Sequence, residues 1–164
     1  MVEERKRPYR IVHEPYLMEY LVRTYPPGTW RLNVRLGPVL GAERPGLKPA
    51  ERRALKLWAL SADAVVVLPD KCVIIEADIR GDIKKIGALL VYKEALLRDP
   101  DWACCHKKPI ELVIVTPLDA PLLEDIASKY GIKVVKYTTD WLWSYIYTLP
   151  PRMRRGPGSR VKTK

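Results

Sequence analysis

Two short apolar runs, each bounded by a carboxylate, constrain this chain more than any other feature. Ala64 to Leu68 reads AVVVL and Cys72 to Ile75 reads CVII, with only Pro69, Asp70 and Lys71 between them. Apolar, mostly β-branched runs this short, separated by a turn, predict strands covered on both faces, and so tight a connection makes them antiparallel. Asp63 precedes the first run and Glu76 follows the second. An antiparallel register therefore brings both carboxylates to one end of the pair. Glu76 and Asp78 are two residues apart, so on a continuing strand they share a face and Ala77 takes the other.

The remaining pattern surrounds this hairpin with helices. Glu14 to Tyr25 (EPYLMEYLVRTY) predicts a helix with Pro15 in its first turn, ended by Pro26-Pro27-Gly28. Thr29 to Leu36 (TWRLNVRL) alternates Trp30, Leu32, Val34 and Leu36 with Arg31, Asn33 and Arg35, the period of a half-buried strand whose other face is largely basic. A Gly/Pro loop leads to a short helix over Pro49 to Leu60. Asp82 to Leu97 predicts a long amphipathic helix capped by Asp82, and Trp141 to Leu149 a last one. Between them come a strand from Ile110 to Val115, a helix from Leu118 to Tyr130 closed by Gly131, and a strand from Ile132 to Tyr137. Strand, helix and strand in that order imply a parallel pair with a right-handed crossover. The expected fold class is α/β, a mixed sheet flanked by helices, in one domain over residues 1–150 followed by a basic tail over 151–164.

Charge points to the partner. The net charge is +10, and the tail carries Arg152, Arg154, Arg155, Arg160, Lys162 and Lys164 with no acid. Such a field favours polyanions, nucleic acid above all, because each neutralised phosphate releases condensed counterions; a solubilising tail is the plainer alternative. No apolar run reaches the roughly 18 residues that cross a bilayer, and the first ten residues lack the apolar centre of a secretory signal. A soluble cytoplasmic protein is expected. Cys72, Cys104 and Cys105 are odd in number with two adjacent, which predicts neither a disulfide framework nor a zinc site. The absence of Gln and Phe, with fifteen Pro, is compatible with a heat-adapted host.

Three acids meeting beside apolar strands repel one another unless a positive charge is shared among them. A divalent cation supplies one, and magnesium suits carboxylates combined with water and phosphate. The plainer alternative is that Asp63 caps a strand entry and that Glu76 and Asp78 are solvated.

The stretch D63-AVVVLPDKCVII-E76-A-D78, preceded by helix and strand and followed by a long amphipathic helix, resembles the PD-(D/E)XK nuclease superfamily, in particular the archaeal Holliday-junction resolvases. The resemblance spans roughly Glu14 to Tyr137 as a topology and implies a restriction-endonuclease-like fold. It implies that Asp63 and Glu76 bind Mg2+ or Mn2+, and that an acid of the first helix, Glu14 or Glu19, joins them. The family usually carries a Lys two residues after the Glu to orient the attacking water, and this chain has Asp78 there. Some restriction enzymes of the superfamily carry an acid at that place and still cleave, so Asp78 is a candidate third metal ligand. A replacement cation could come from Lys71, Arg80, Lys84 or Lys85.

Candidate phosphate contacts are Arg35, Arg44, Lys48, Arg52, Arg53, Lys84 and Lys85, with Arg152, Arg154 and Arg155 of the tail. Trp141, Trp143, Tyr145 and Tyr147 more readily pack the last helix or form a dimer contact than stack on bases. His13 and His106 show no partner motif, and the unit from Ile110 to Tyr137 has neither a dinucleotide-binding glycine pattern nor a P-loop. The resulting expectation is a magnesium-dependent DNA endonuclease, with selectivity for DNA structure left open. Two alternatives stand beside it: a catalytically inactive nucleic-acid-binding accessory of replication, packaging or a virion on the same fold, and an oligomeric structural protein, a homodimer through the last helix.

Overall fold

The computed structural model describes residues 8–37, 45–51 and 60–148. They form one five-stranded sheet in the order β1 (Trp30–Leu36), β2 (Leu60–Val67), β3 (Cys72–Ala77), β4 (Ile110–Thr116) and β5 (Ile132–Lys136). β1, β2 and β3 run antiparallel, whereas β3, β4 and β5 run parallel. The helices are α1 (Pro8–Thr24), α2 (Lys84–Arg98), a short 3-10 helix (Pro100–Cys105), α3 (Pro121–Lys129) and α4 (Asp140–Thr148). The mixed α/β architecture expected from the hairpin and the strand-helix-strand unit is the one observed. Among the described residues no helix is long and apolar enough to cross a membrane.

Helices cover both faces of the sheet. Ile86, Leu89 and Leu96 of α2, Trp102 of the 3-10 helix and Leu123 of α3 pack on one side against Cys72, Ile74, Leu112 and Ile114. Val12, Tyr16, Leu17, Tyr20 and Leu21 of α1 and Leu142 of α4 pack on the other against Val73, Ile75, Val113 and Val115. A strand between two covered faces has no polar side, which is why β3 is buried at all six positions.

The alternation in β1 does not keep to one face. Trp30 and Leu32 join the α1 side, whereas Val34 and Leu36 join the α2 side. β2 switches at the same level, with Ala62 on the α2 side and Ala64 on the α1 side. The pairing skips Asn33 opposite Asp63, and Asn33 adopts φ 49°, a left-handed conformation that Asn tolerates better than most residues. A two-residue period read along β1 cannot reveal this, because it assumes an unbroken pleat.

Other boundaries shift for local reasons. α1 is described from Pro8, so Pro15 lies inside the helix, at an exposed position, rather than in its first turn. Residues 49–51 are helical, but Leu60 belongs to β2 rather than to the short helix. α2 begins at Lys84 with Ile83, not Asp82, at the N-cap position; Asp82 Oδ1, one residue earlier, accepts the Lys84 N–H at 3.0 Å. α3 starts at Pro121 rather than Leu118, since Leu118 N–H donates to Thr116 Oγ1 in a turn and Pro121 fits a helix start. Gly37, at φ 77°, donates its N–H to Asp99 Oδ2, and a Cβ there would lie 2.8 Å from Ala95 Cβ.

The cysteines correct the sequence expectation. Cys72 and Cys105 form a disulfide with Cα atoms 5.8 Å apart, and Cys104 is free and exposed. The 3-10 helix turns the chain back beneath the first residue of β3. Spacing along the sequence carries no sign of that return.

Candidate active site

β2 and β3 pair as far as Ala64 opposite Ile75, and there their backbone ladder stops. Beyond that level β2 continues toward Leu60 paired with β1, while β3 continues to Ala77 paired with β4. The strands fork, and Asp63 and Glu76 fill the fork. Asp63 N–H donates to Glu76 Oε1 at 3.0 Å, and Ala77 N–H donates to Asp63 Oδ2 at 2.9 Å. Each carboxylate thus takes up a backbone donor that the fork would otherwise strand.

A cation from α2 completes the pair. Lys85 Nζ donates to Glu76 Oε2 and lies 3.6 Å from Asp63 Oδ2. From the opposite layer, His13 Nε2 lies 3.1 Å from Asp63 Oδ2 and 3.1 Å from the Ala77 carbonyl oxygen. One ring nitrogen facing two acceptors is an N–H donor shared between them. The four side chains are graded in depth, with Glu76 3 % exposed, Asp63 18 %, Lys85 26 % and His13 31 %. Glu76 is therefore the innermost of the four.

The electrostatics follow from this packing. Burial pushes Glu76 up to about 7, with the Asp63 carboxylate adding to the rise against the opposing pull of Lys85. Burial also works against the charged form of Asp63, but the His13 hydrogen bond and the Lys85 ammonium outweigh it and hold Asp63 below the usual carboxylate range. The Asp63 hydrogen bond raises His13. Burial opposes the charge on Lys85, and the two acids more than restore it. The result is one firm anion, one buried acid near neutrality, and a retained ammonium touching both.

The other expected residues are dispersed. Asp78 is 3 % exposed, and its Oδ1 accepts the Arg80 N–H at 3.0 Å. Its Oδ2 is buried with no hydrogen-bond partner among the described residues, and no bond joins it to Asp63 or Glu76. Glu14 is exposed, while the preceding residue, His13, faces the fork. Glu19 is engaged elsewhere, with Arg23, Tyr137 and Trp141. Lys71 pairs with Glu111 at the opposite end of the sheet. Lys84 and Lys48 are exposed, and Lys48 N–H donates to Glu51. Arg35 is exposed on β1 opposite Ser61, two residues from Asp63. Arg44, Arg52, Arg53, Arg152, Arg154 and Arg155 lie outside the described residues.

Sequence reasoning missed His13 and left Lys85 as one of several candidates, although both carry a signal. Lys85 stands at helical spacing from Leu89, Tyr92 and Leu96, the inward stripe of α2, and His13 from Tyr16, Leu17 and Tyr20, that of α1.

Among the described residues no three His, Cys, Asp or Glu side chains are arranged to hold a metal ion. Asp63 and Glu76 offer two hard oxygen donors and already share one cation, the Lys85 ammonium. Two carboxylates suit an ion of the magnesium type, which keeps several waters and takes other ligands from phosphate. No protein-family model, no curated protein and no solved structure matches this chain.

Proposed function

We propose that this chain is a metal-dependent DNA endonuclease of the PD-(D/E)XK type, with a restriction-endonuclease-like version of the mixed sheet. The observation that carries the reading is the contact of Lys85 with both Asp63 and Glu76. The family resemblance lacks one element, a lysine two residues after Glu76, and α2 brings an ammonium to the same two carboxylates from another direction.

In this reading Asp63 and Glu76 would hold a magnesium or manganese ion, which when bound polarises the scissile phosphate and activates water for in-line attack. Lys85 places positive charge where the phosphate gains negative charge in the transition state. His13 fixes the orientation of Asp63 by donating to its Oδ2. Arg35 and Lys84, with the basic residues of the tail, draw the DNA backbone to the fork by charge. Asp78, buried beside this group, contributes to the field felt by Lys85.

The test is to incubate supercoiled and branched DNA with the protein in magnesium or manganese. Wild type nicks. Asp63→Asn, Glu76→Gln and Lys85→Met each lose on the order of 10^2-fold or more in rate while still retarding DNA in a gel. Binding without nicking by wild type would replace this reading with that of a nucleic-acid-binding scaffold. Absence of salt-sensitive binding would remove both.

A further inference from the structure

We infer that Lys85 is a built-in counter-ion that occupies the cation position between Asp63 and Glu76 and is released when a divalent ion enters. The inference rests on the proposed metal-dependent reading of the same two acids and adds how the site loads. Its basis is geometric. Lys85 Nζ is bonded to Glu76 Oε2, an oxygen that no other described hydrogen bond uses, and lies 3.6 Å from Asp63 Oδ2. Glu76 Oε1 is committed to the Asp63 N–H, and Asp63 Oδ2 to the Ala77 N–H and His13. A divalent ion held through Glu76 Oε2 therefore competes with the ammonium that now occupies that oxygen.

Position and reach make the exchange feasible. Lys85 is in the first turn of α2, and its side chain is about a quarter exposed. Its four-carbon stem can swing toward solvent without moving the helix, whereas Glu76, almost fully buried on the central strand β3, cannot follow it. A released ammonium beside the mouth of the fork is then free to meet a phosphate arriving with or after the ion. Ion and lysine compete for the same oxygens, so their binding is negatively coupled, and by linkage each weakens the other to the same degree.

The experiment uses the full-length protein, Mn2+ alone and no DNA. Accessibility of each lysine is measured by brief acetylation with an activated ester and mass spectrometry, with and without saturating Mn2+, and Mn2+ affinity is measured by calorimetry for wild type, Lys85→Met and Lys84→Met. Mn2+ should raise the labelling of Lys85 several-fold and leave Lys84 unchanged. Lys85→Met should bind Mn2+ about tenfold more tightly than wild type, and Lys84→Met, the same charge change one residue away, within about twofold. Labelling of Lys85 that does not change on saturation overturns the exchange whatever the affinities, while Mn2+ binding lost in Asp63→Asn and Glu76→Gln would leave the metal reading intact. If wild type and Lys85→Met both fail to bind Mn2+, the metal reading falls and the exchange with it.

Discussion

His13 Nε2 lies 3.1 Å from Asp63 Oδ2, so a residue of the α1 layer sets the orientation of an acid on β2. Groups that orient a ligand from behind commonly matter about 10- to 100-fold in metal affinity or activity. His13→Ala is expected to slow DNA nicking by that amount while leaving DNA retention in a gel unchanged. His13→Gln, which keeps a donor, should recover part of the loss. Equal losses in nicking and retention would mean that His13 touches the DNA instead.

Removing the Asp63 carboxylate separates its two duties. Asp63→Ala strands the Ala77 N–H and should lower stability by about 1 to 3 kcal/mol in denaturant unfolding. Asp63→Asn keeps an oxygen for that donor and removes the negative charge beside Glu76. The Glu76 titration, followed by carboxyl carbon NMR, should then move down from about 7 toward its ordinary 4.5. A midpoint that stays in place would show that burial alone sets it.

The stability of the protein should fall with rising pH. Glu76 is raised on folding, so the folded state prefers its protonated form; that contribution is complete below 4.5 and is lost as pH rises through about 7. His13 is also raised, and its contribution is complete below 6.5 and is lost above its folded value. Asp63 is lowered and acts the other way, losing its contribution only in acid, below its ordinary 3.8. Between pH 5 and pH 8 the first two dominate, and Glu76 alone accounts for up to about 3 kcal/mol. Urea unfolding at both pH values checks this, and Glu76→Gln should flatten most of the difference.

The disulfide closes a loop with a sequence separation of 33, for which chain entropy predicts about 4 kcal/mol. Reduction, or Cys105→Ser, should lower unfolding stability by that order, and Cys104→Ser, at an exposed free thiol, should not. Denaturant curves with and without a reducing agent measure it.

Deleting residues 151–164 removes six basic residues and no acid. DNA affinity should fall and its dependence on salt should flatten, with nicking by the bound protein retained. Unchanged affinity would identify the tail as a solubiliser.

Much of the frame was legible because local patterns decide it. The apolar runs on either side of Pro69, Asp70 and Lys71 could only form a tight antiparallel pair, and Asp63 and Glu76 had to emerge at one end of it. The long helix and the β4-α3-β5 unit follow equally from periodicity. What escaped the sequence depends on rotation and return. Adjacent residues on a helix point about 100° apart, which separates half-buried Lys85 from exposed Lys84 and His13 from exposed Glu14. The Cys72–Cys105 bond and the switch at Asn33 arise from chain paths that no local pattern records.

That switch has a mechanical consequence. Because β1 and β2 change sides at Asn33 and Asp63, the residues before and after that level pack against different helices. A cavity cut under α1, as by Leu17→Ala, and one cut under α2, as by Leu89→Ala, lie on opposite sides of the sheet. The backbone at Asp63 is thus anchored in both packed layers at once, through Ala62 on the α2 side and Ala64 on the α1 side.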